Sequence, residues 1–222
     1  MSERAVVMGQ GYVGLPVAIR AVEAGYDVIG YELDETKVTA LNAGSSHVED
    51  ITDERLAAAL ASGRYRASSD TADLADFDIA VISVPTPMRE GAPDLSYIER
   101  ASETLAPFVR EGSTVILEST TYPGTTEELA GPILAAGSGL EVGTGFHLGY
   151  SPERIDPGNA RYHLENTPKV VSGVDATSLH KVDEFFSRLV ETTVPVGGTR
   201  EAELTKLLEN TFRHVNIALE QL

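Results

Sequence analysis

Arg4-Ala5-Val6-Val7-Met8-Gly9-Gln10-Gly11-Tyr12-Val13-Gly14-Leu15-Pro16 decides how the whole chain is read. Its first five residues form a short apolar run of strand type. The glycines follow in the pattern G-x-G-x-x-G, and helical spacing begins at Val13, with Pro16 tolerated in the first turn. A strand that turns into a helix through such glycines makes a cradle for a pyrophosphate. Gly9 allows the tight turn, Gly11 lets the backbone approach the phosphates, and Gly14 lets helix and strand pack closely. Tyr12 and Val13 complete the loop, where the helix N-terminus offers N–H groups and positive dipole character to an anion.

Outward from this unit, residues 26–31 read as a second strand. It ends at Glu32, eighteen residues after Gly14. An acid at that place holds the adenosine ribose hydroxyls and disfavours a 2′-phosphate, so NAD is expected over NADP. Asp34 competes for the role but suits the cap of a helix over 34–42, which ends near Gly44. Further helices are predicted over 52–61, 96–107, 125–135 and 176–190, and strands over 79–84, 113–117, 145–150, 169–171 and 192–196. This alternation predicts an α/β fold of Rossmann type, doubly wound around a mostly parallel sheet. Residues 199–222 differ. They read as one long C-terminal helix with Leu204, Leu207, Leu208, Phe212, Val215 and Leu219 along it, after a boundary at Val194-Pro195-Val196-Gly197-Gly198. The division is therefore 1–198 for the NAD-binding domain and 199–222 for the helix.

The chain has 222 residues and is 42% hydrophobic, enough for one substantial core. No stretch approaches the roughly 20 apolar residues of a membrane span. Met1-Ser2-Glu3-Arg4 leads straight into a strand without a signal peptide, so a cytoplasmic protein is expected. Thirty-four acidic residues against 17 basic ones give a formal charge of −17, a field that repels nucleic acid and anionic membrane. Four of the basic residues are lysine. Two readings stay open: a halophile's hydrated acidic surface, and an acidic protein of ordinary salt tolerance. For a halophile, the unfolding midpoint should climb steeply in molar KCl; indifference to salt removes that reading. No cysteine is present, which excludes disulfides, thiolate metal sites and a cysteine nucleophile within this chain. The five histidines show no metal-binding spacing, and no metal site is expected.

Several further stretches carry a resemblance. They are Gly11-Tyr12-Val13-Gly14-Leu15-Pro16, Val84-Pro85-Thr86-Pro87, Asp94-Leu95-Ser96-Tyr97-Ile98, Glu118-Ser119-Thr120, Pro123-Gly124-Thr125 and Ser151-Pro152-Glu153-Arg154, with the run from Glu201 to Asn210. In this order the chain resembles the UDP-glucose/UDP-N-acetylmannosamine dehydrogenases. The resemblance implies oxidation of C6 of a UDP-sugar to a carboxylate with two NAD⁺ and one water, through an aldehyde and a thioester. It implies a fold of three parts: an NAD domain, a long central helix that forms a homodimer, and a UDP-binding domain. This chain resembles the first part and the start of the helix. By the same resemblance Glu32 and Lys37 serve the ribose side of the cofactor, and Thr86 the loop over it. Thr120 positions the catalytic water, Glu153 assists the thioester steps, and Lys206 with Asn210 stabilises oxyanion charge. As i and i+4 neighbours, Lys206 and Asn210 share one helix face, which suits that role. The stretch Ser151 to Asn159 resembles the branch acting on UDP-N-acetylmannosamine or UDP-N-acetylglucosamine. UDP-glucose and a stand-alone NAD-binding interaction module stay open. The family's nucleophile is a cysteine in the C-terminal half, so this chain is expected to bind NAD without turning over a UDP-sugar, and its uninterrupted last helix favours truncation.

Overall fold

The computed structural model describes residues 2–89, 91–154, 161 and 163–220. Strand β1 (Arg4–Met8) passes through the glycine turn into helix α1 (Gly14–Glu23), then β2 (Asp27–Tyr31) and α2 (Glu35–Asn42). Helix α3 (Asp53–Ala61), β3 (Tyr65–Ser68) and β4 (Ile79–Ile82) complete the first half. A short antiparallel pair, β5 (Met88–Arg89) and β6 (Ala92–Pro93), precedes α4 (Ser96–Leu105), β7 (Thr114–Leu117) and α5 (Gly131–Ser138). The chain continues through β8 (His147–Tyr150), β9 (Lys169–Gly173), α6 (Ala176–Ser187), β10 (Thr193–Pro195) and the long helix α7 (Thr199–Glu220).

Eight strands form one sheet in the order β10-β9-β8-β7-β4-β1-β2-β3. All neighbouring strands pair in parallel except β8 and β9, so β9 and β10 run against the rest. Strand order reverses beside β1, where β2 leads one way and β4 the other. Open α/β sheets bind ligands at that switch point, beyond the carboxyl ends of the strands.

Alternation along the strands sorts the core into two layers. Ala5 and Val7 of β1 pack with α1 and α6, where Phe185 meets Tyr26 and Phe186 edge-on at centroid distances of 5.4 and 5.0 Å. Val6 and Met8 face the opposite layer, with Phe77, Ile98, Leu105, Leu134, Phe146 and Tyr150. Ala202 joins that second layer and fixes the base of α7 against it.

The long periodic elements fall where the sequence places them, and three features differ. Strand β3 is too short and too polar to stand out from its sequence, yet it extends the sheet beside β2. The helix expected over 125–135 begins instead as a wide turn over Thr126–Ala130, in which the Gly131 N–H donates to the Thr126 carbonyl five residues back. Pro132 has no N–H to give the Glu128 carbonyl, and that gap lets the turn widen. The reversal of β9 is the third, and it shapes the site.

Candidate active site

A cleft of about 670 Å³ runs along the carboxyl ends of β2, β1, β4 and β7. Its central wall is the glycine turn. Gly9 adopts φ +90°, and a Cβ there would meet the Ser83 carbonyl oxygen at 2.8 Å. Gly14 lies behind the wall, where a Cβ would stand 1.9 Å from the Gly9 carbonyl oxygen. At Gly11 nothing lies within 4 Å, so backbone is bared to whatever occupies the cleft. Helix α1 has Val13 at its N-cap with no side-chain cap. Its first N–H groups therefore have no side-chain acceptor, as an anion site requires.

One end of the cleft lies over β2. The Glu32 carboxylate accepts from the Gln10 and Asp34 N–H groups, each at 3.1 Å, so backbone holds it at the strand end. Asp34 caps α2, accepting from the Thr36 N–H at 2.9 Å, and that hydrogen bond holds its carboxyl below the usual range. The capping expectation is met, and Glu32 is left for a diol. Lys37, Tyr12, Val13 and Thr86 all line the cleft. Every residue expected on the cofactor side therefore faces this one space except Gly14, whose place is structural.

The other end is formed by Ser83 to Thr86 after β4 and by Glu118, Ser119 and Thr120 after β7. Glu118 is fully buried and bonded to the buried ammonium of Lys169. Lys169 also donates to the Pro152 carbonyl at 3.2 Å, stands 3.8 Å from Glu153, and lies 5.0 Å over the Phe186 ring. The reversal of β9 makes this possible. Tyr150 pairs with Ser172, so antiparallel register carries Lys169 back to the level of Glu153, at the carboxyl edge of the sheet. Burial pushes the Glu118 carboxyl up, and the Lys169 charge opposes it.

Helix α7 packs nearby against β8 and β9. Lys206 is half-buried, and burial lowers its pKa, opposed first by the charge of Glu153, while Lys169 lowers it further. Glu118 and Thr120 line this end, and the charges of Glu153, Lys169 and Glu118 act on Lys206 nearby, whereas Asn210, one turn on, is exposed. Two acids that could have neutralised Lys206 are engaged elsewhere. Glu203 is buried and accepts from the Gly124 N–H at 2.5 Å and from the Thr126 N–H and hydroxyl at 2.8 and 2.7 Å. Glu209 holds Arg154 through both carboxylate oxygens. These two contacts fasten α7 to the loops after β7 and β8. The stretch expected to report on the sugar is described as far as Arg154; residues 155–159 lie outside the described residues.

The family's sequence pattern, described as "UDP-glucose/GDP-mannose dehydrogenase family, NAD binding domain", matches residues 3–190. The chain belongs to the UDP-glucose/GDP-mannose dehydrogenase family. The cofactor of this dehydrogenase domain is NAD, and the open backbone at Gly11, the uncapped helix and the Glu32 carboxylate fit it. UDP-N-acetyl-D-mannosamine dehydrogenase of Pyrococcus horikoshii is 37% identical over 97% of this chain and 52% of its own length. UDP-N-acetyl-D-glucosamine 6-dehydrogenase of Salmonella typhi is 36% identical over 96% of this chain and 50% of its own length. A solved structure of the Pyrococcus horikoshii UDP-D-ManNAc dehydrogenase superposes with a TM-score of 0.92 at 37% identity, covering 97% of this chain and 52% of that one. The chain spans about half the length of the curated relatives it matches.

Three residues of this UDP-glucose/GDP-mannose dehydrogenase domain escaped sequence reasoning. Gln10 occupies a variable position of the glycine motif, yet it is fully buried. Its amide donates to the Val7 and Gly9 carbonyls at 2.8 and 3.1 Å and accepts from the Tyr65 hydroxyl at 2.9 Å, which ties the turn to β1 and β3. The signal was Gly30 inside β2, where a Cβ would stand 2.4 Å from the Gln10 amide oxygen. Glu118 and Lys169 are the other two. Each is a charge at the edge of an apolar strand, a placement that needs a partner.

Proposed function

We propose that this chain is the NAD-binding part of a UDP-N-acetyl-sugar 6-dehydrogenase, acting on UDP-N-acetylmannosamine or UDP-N-acetylglucosamine and oxidising the C6 hydroxyl to a carboxylate. The observation that carries the reading is Thr120 lining the end of the cleft remote from Glu32, with Lys206 beside it under the charges of Glu153, Lys169 and Glu118. The pyrophosphate belongs over the glycine turn and the adenosine ribose at Glu32, so that remote end takes the nicotinamide. NAD, when bound there, accepts the hydride from C6.

The chain's own side chains supply the rest. Lys206, with Asn210 on the same helix face, stabilises negative charge developing on the C6 oxygen. A lysine whose ammonium is disfavoured by burial also gives up its proton more readily than a solvated one, which suits it to relay the hydroxyl proton. Thr120 orients water, and Glu153, held beside Lys169, assists acyl hydrolysis. The two relatives, dehydrogenases of UDP-N-acetyl-D-mannosamine and UDP-N-acetyl-D-glucosamine, favour an N-acetylated sugar over UDP-glucose. Helix α7 exposes Leu208, Phe212 and Leu219 at 66, 71 and 62%, and we assign that stripe to a second copy of the chain.

A cysteine nucleophile must come from outside these residues, since the chain has none. Two assays test the reading. Titration with NADH should show saturable binding, and incubation with NAD⁺ and UDP-N-acetylmannosamine should give no NADH. Turnover by this chain alone removes the claim of inactivity; absence of NADH binding removes the reading itself.

A further inference from the structure

We propose that the Glu118 carboxylate accepts a hydrogen bond from the nicotinamide carboxamide, and that Lys169 holds it in place as an anion, so that the cleft selects a carboxamide over a carboxylate on the pyridine ring. The inference rests on the cleft's holding NAD with its adenosine half at Glu32.

The argument starts from polar satisfaction. Glu118 is 0% exposed, and Lys169 takes one of its carboxylate oxygens. The other oxygen, Oε2, has no protein partner among the described residues. A buried carboxylate oxygen without a donor is costly, and native structures supply one from protein, water or ligand. Five buried side-chain atoms among the described residues share this condition, and Glu118 alone of their residues lines the cleft. Its place is at the carboxyl end of β7, two strands from β1 on the side away from β2. A dinucleotide whose phosphates sit on the glycine turn between those strands brings its pyridine ring to this end.

The neighbours narrow the choice of ligand group. Ser119 donates its hydroxyl to the Val84 carbonyl at 2.8 Å, so it is already committed. Lys169 is spent on Glu118 and Pro152. What the floor offers is an anionic acceptor, and an acceptor of that kind wants an N–H. The carboxamide of nicotinamide has two. The carboxylate of nicotinic acid has none and carries a charge that a buried anion repels. Lys169 directs its ammonium at Glu118 and stands 3.8 Å from Glu153, so the buried pair is built around an anionic Glu118.

The test compares three ligands by calorimetry: NAD⁺, nicotinic acid adenine dinucleotide, and ADP-ribose, which lacks the ring. Calorimetry suits a chain without tryptophan. The wild-type chain should bind NAD⁺ roughly tenfold or more tighter than the nicotinic acid form, the size of one charge-assisted hydrogen bond. Glu118→Gln keeps the shape and offers an amide N–H to the carboxylate, so the gap should shrink to about twofold with ADP-ribose unchanged. The double variant Glu118→Ala with Lys169→Met removes both charges of the pair and should close the gap in the same way. Equal binding of both dinucleotides by the wild-type chain overturns the proposal without any variant. So does a gap that survives in both variants, or ADP-ribose affinity that falls in step with NAD⁺, which would mark Glu118 as structural only. If none of the three ligands binds the wild-type chain, the NAD assignment fails instead.

Discussion

Gly14→Ala is expected to abolish measurable NAD binding and to destabilise the fold, whereas Gly11→Ala abolishes binding alone. The two glycines belong to one motif, but different neighbours decide their costs. An added Cβ at Gly14 would stand 1.9 Å from the Gly9 carbonyl oxygen and 2.4 Å from Ser83 Oγ. Neither obstacle can step aside. Gly9 is pinned by its N–H to the Tyr31 carbonyl at 2.8 Å, and its own φ is +90°. Ser83 donates to the Met8 carbonyl at 2.9 Å and is bound into the end of β4. Helix α1 must therefore move off β1, at a cost of about 1–3 kcal/mol for overpacking. That shift withdraws the helix N-terminus from the phosphates, and the affinity for NADH should fall more than about 100-fold, the equivalent of roughly 2.7 kcal/mol. At Gly11 a methyl group meets no protein atom within 4 Å, so the unfolding free energy should stay within about 0.5 kcal/mol of the parent. The methyl instead occupies the space the pyrophosphate needs, and binding should drop as it does for Gly14. NADH titration and urea unfolding of both variants separate the effects. Equal stability losses at the two positions would show that packing does not distinguish them.

What the sequence disclosed follows from how local each feature is. The glycine turn, Glu32 at the end of β2 and the Asp34 cap are each specified within a few residues of backbone, so spacing and residue type sufficed. Lys206 and Asn210 could be put on one face of α7 because a long periodic helix fixes which residues share a face. The Glu118–Lys169 pair is another matter. Its members lie 51 residues apart, and they meet because β9 runs antiparallel to β8. A parallel β9 would have put Lys169 at the far edge of the sheet. Residue alternation does not distinguish the two directions, since either buries Val170 and Val171 alike. Gln10 was hidden for a related reason. Its partners are Val7 beside it and Tyr65 on β3, a strand of four residues whose charged Arg66 masks its pattern. The Thr126 N–H that opens the wide turn donates to the carboxylate of Glu203, reached across 77 residues.

Lys169→Met should be severely destabilising, and in a manner that depends on pH. The substitution conserves most of the volume and the contact with Phe186, so packing is a minor part of the loss. The larger part is electrostatic. Glu118, fully buried, would lose the bonded cation that opposes its desolvation. Breaking one side of a buried ion pair costs about 3–5 kcal/mol. Glu118 can limit that cost by taking a proton, which sets the pH dependence. Its carboxyl is raised above the ordinary value of 4.5 even with Lys169 present, and more so without it. Below 4.5 the group is protonated in folded and unfolded chains alike, and the variant's deficit is smallest. As pH rises from there, the unfolded chain ionises while the folded one holds its proton, so stability falls by about 1.4 kcal/mol per pH unit. The fall ends once pH passes the raised folded value. Urea unfolding at acidic and neutral pH should therefore show a deficit relative to the parent that widens toward neutrality. Adding Glu118→Leu removes the stranded acid, and the double variant should recover most of the stability and lose the steep fall toward neutral pH. A Lys169→Met deficit below about 1 kcal/mol at neutral pH, or one that does not change with pH, would show that Glu118 finds another partner. The same protonation has a consequence for the cleft. A neutral Glu118 presents an O–H in place of an anionic acceptor, so Lys169→Met should bind nicotinic acid adenine dinucleotide better relative to NAD⁺ than the parent does. One substitution, far along the chain from the glycine turn, then moves both the stability curve and the choice of ligand.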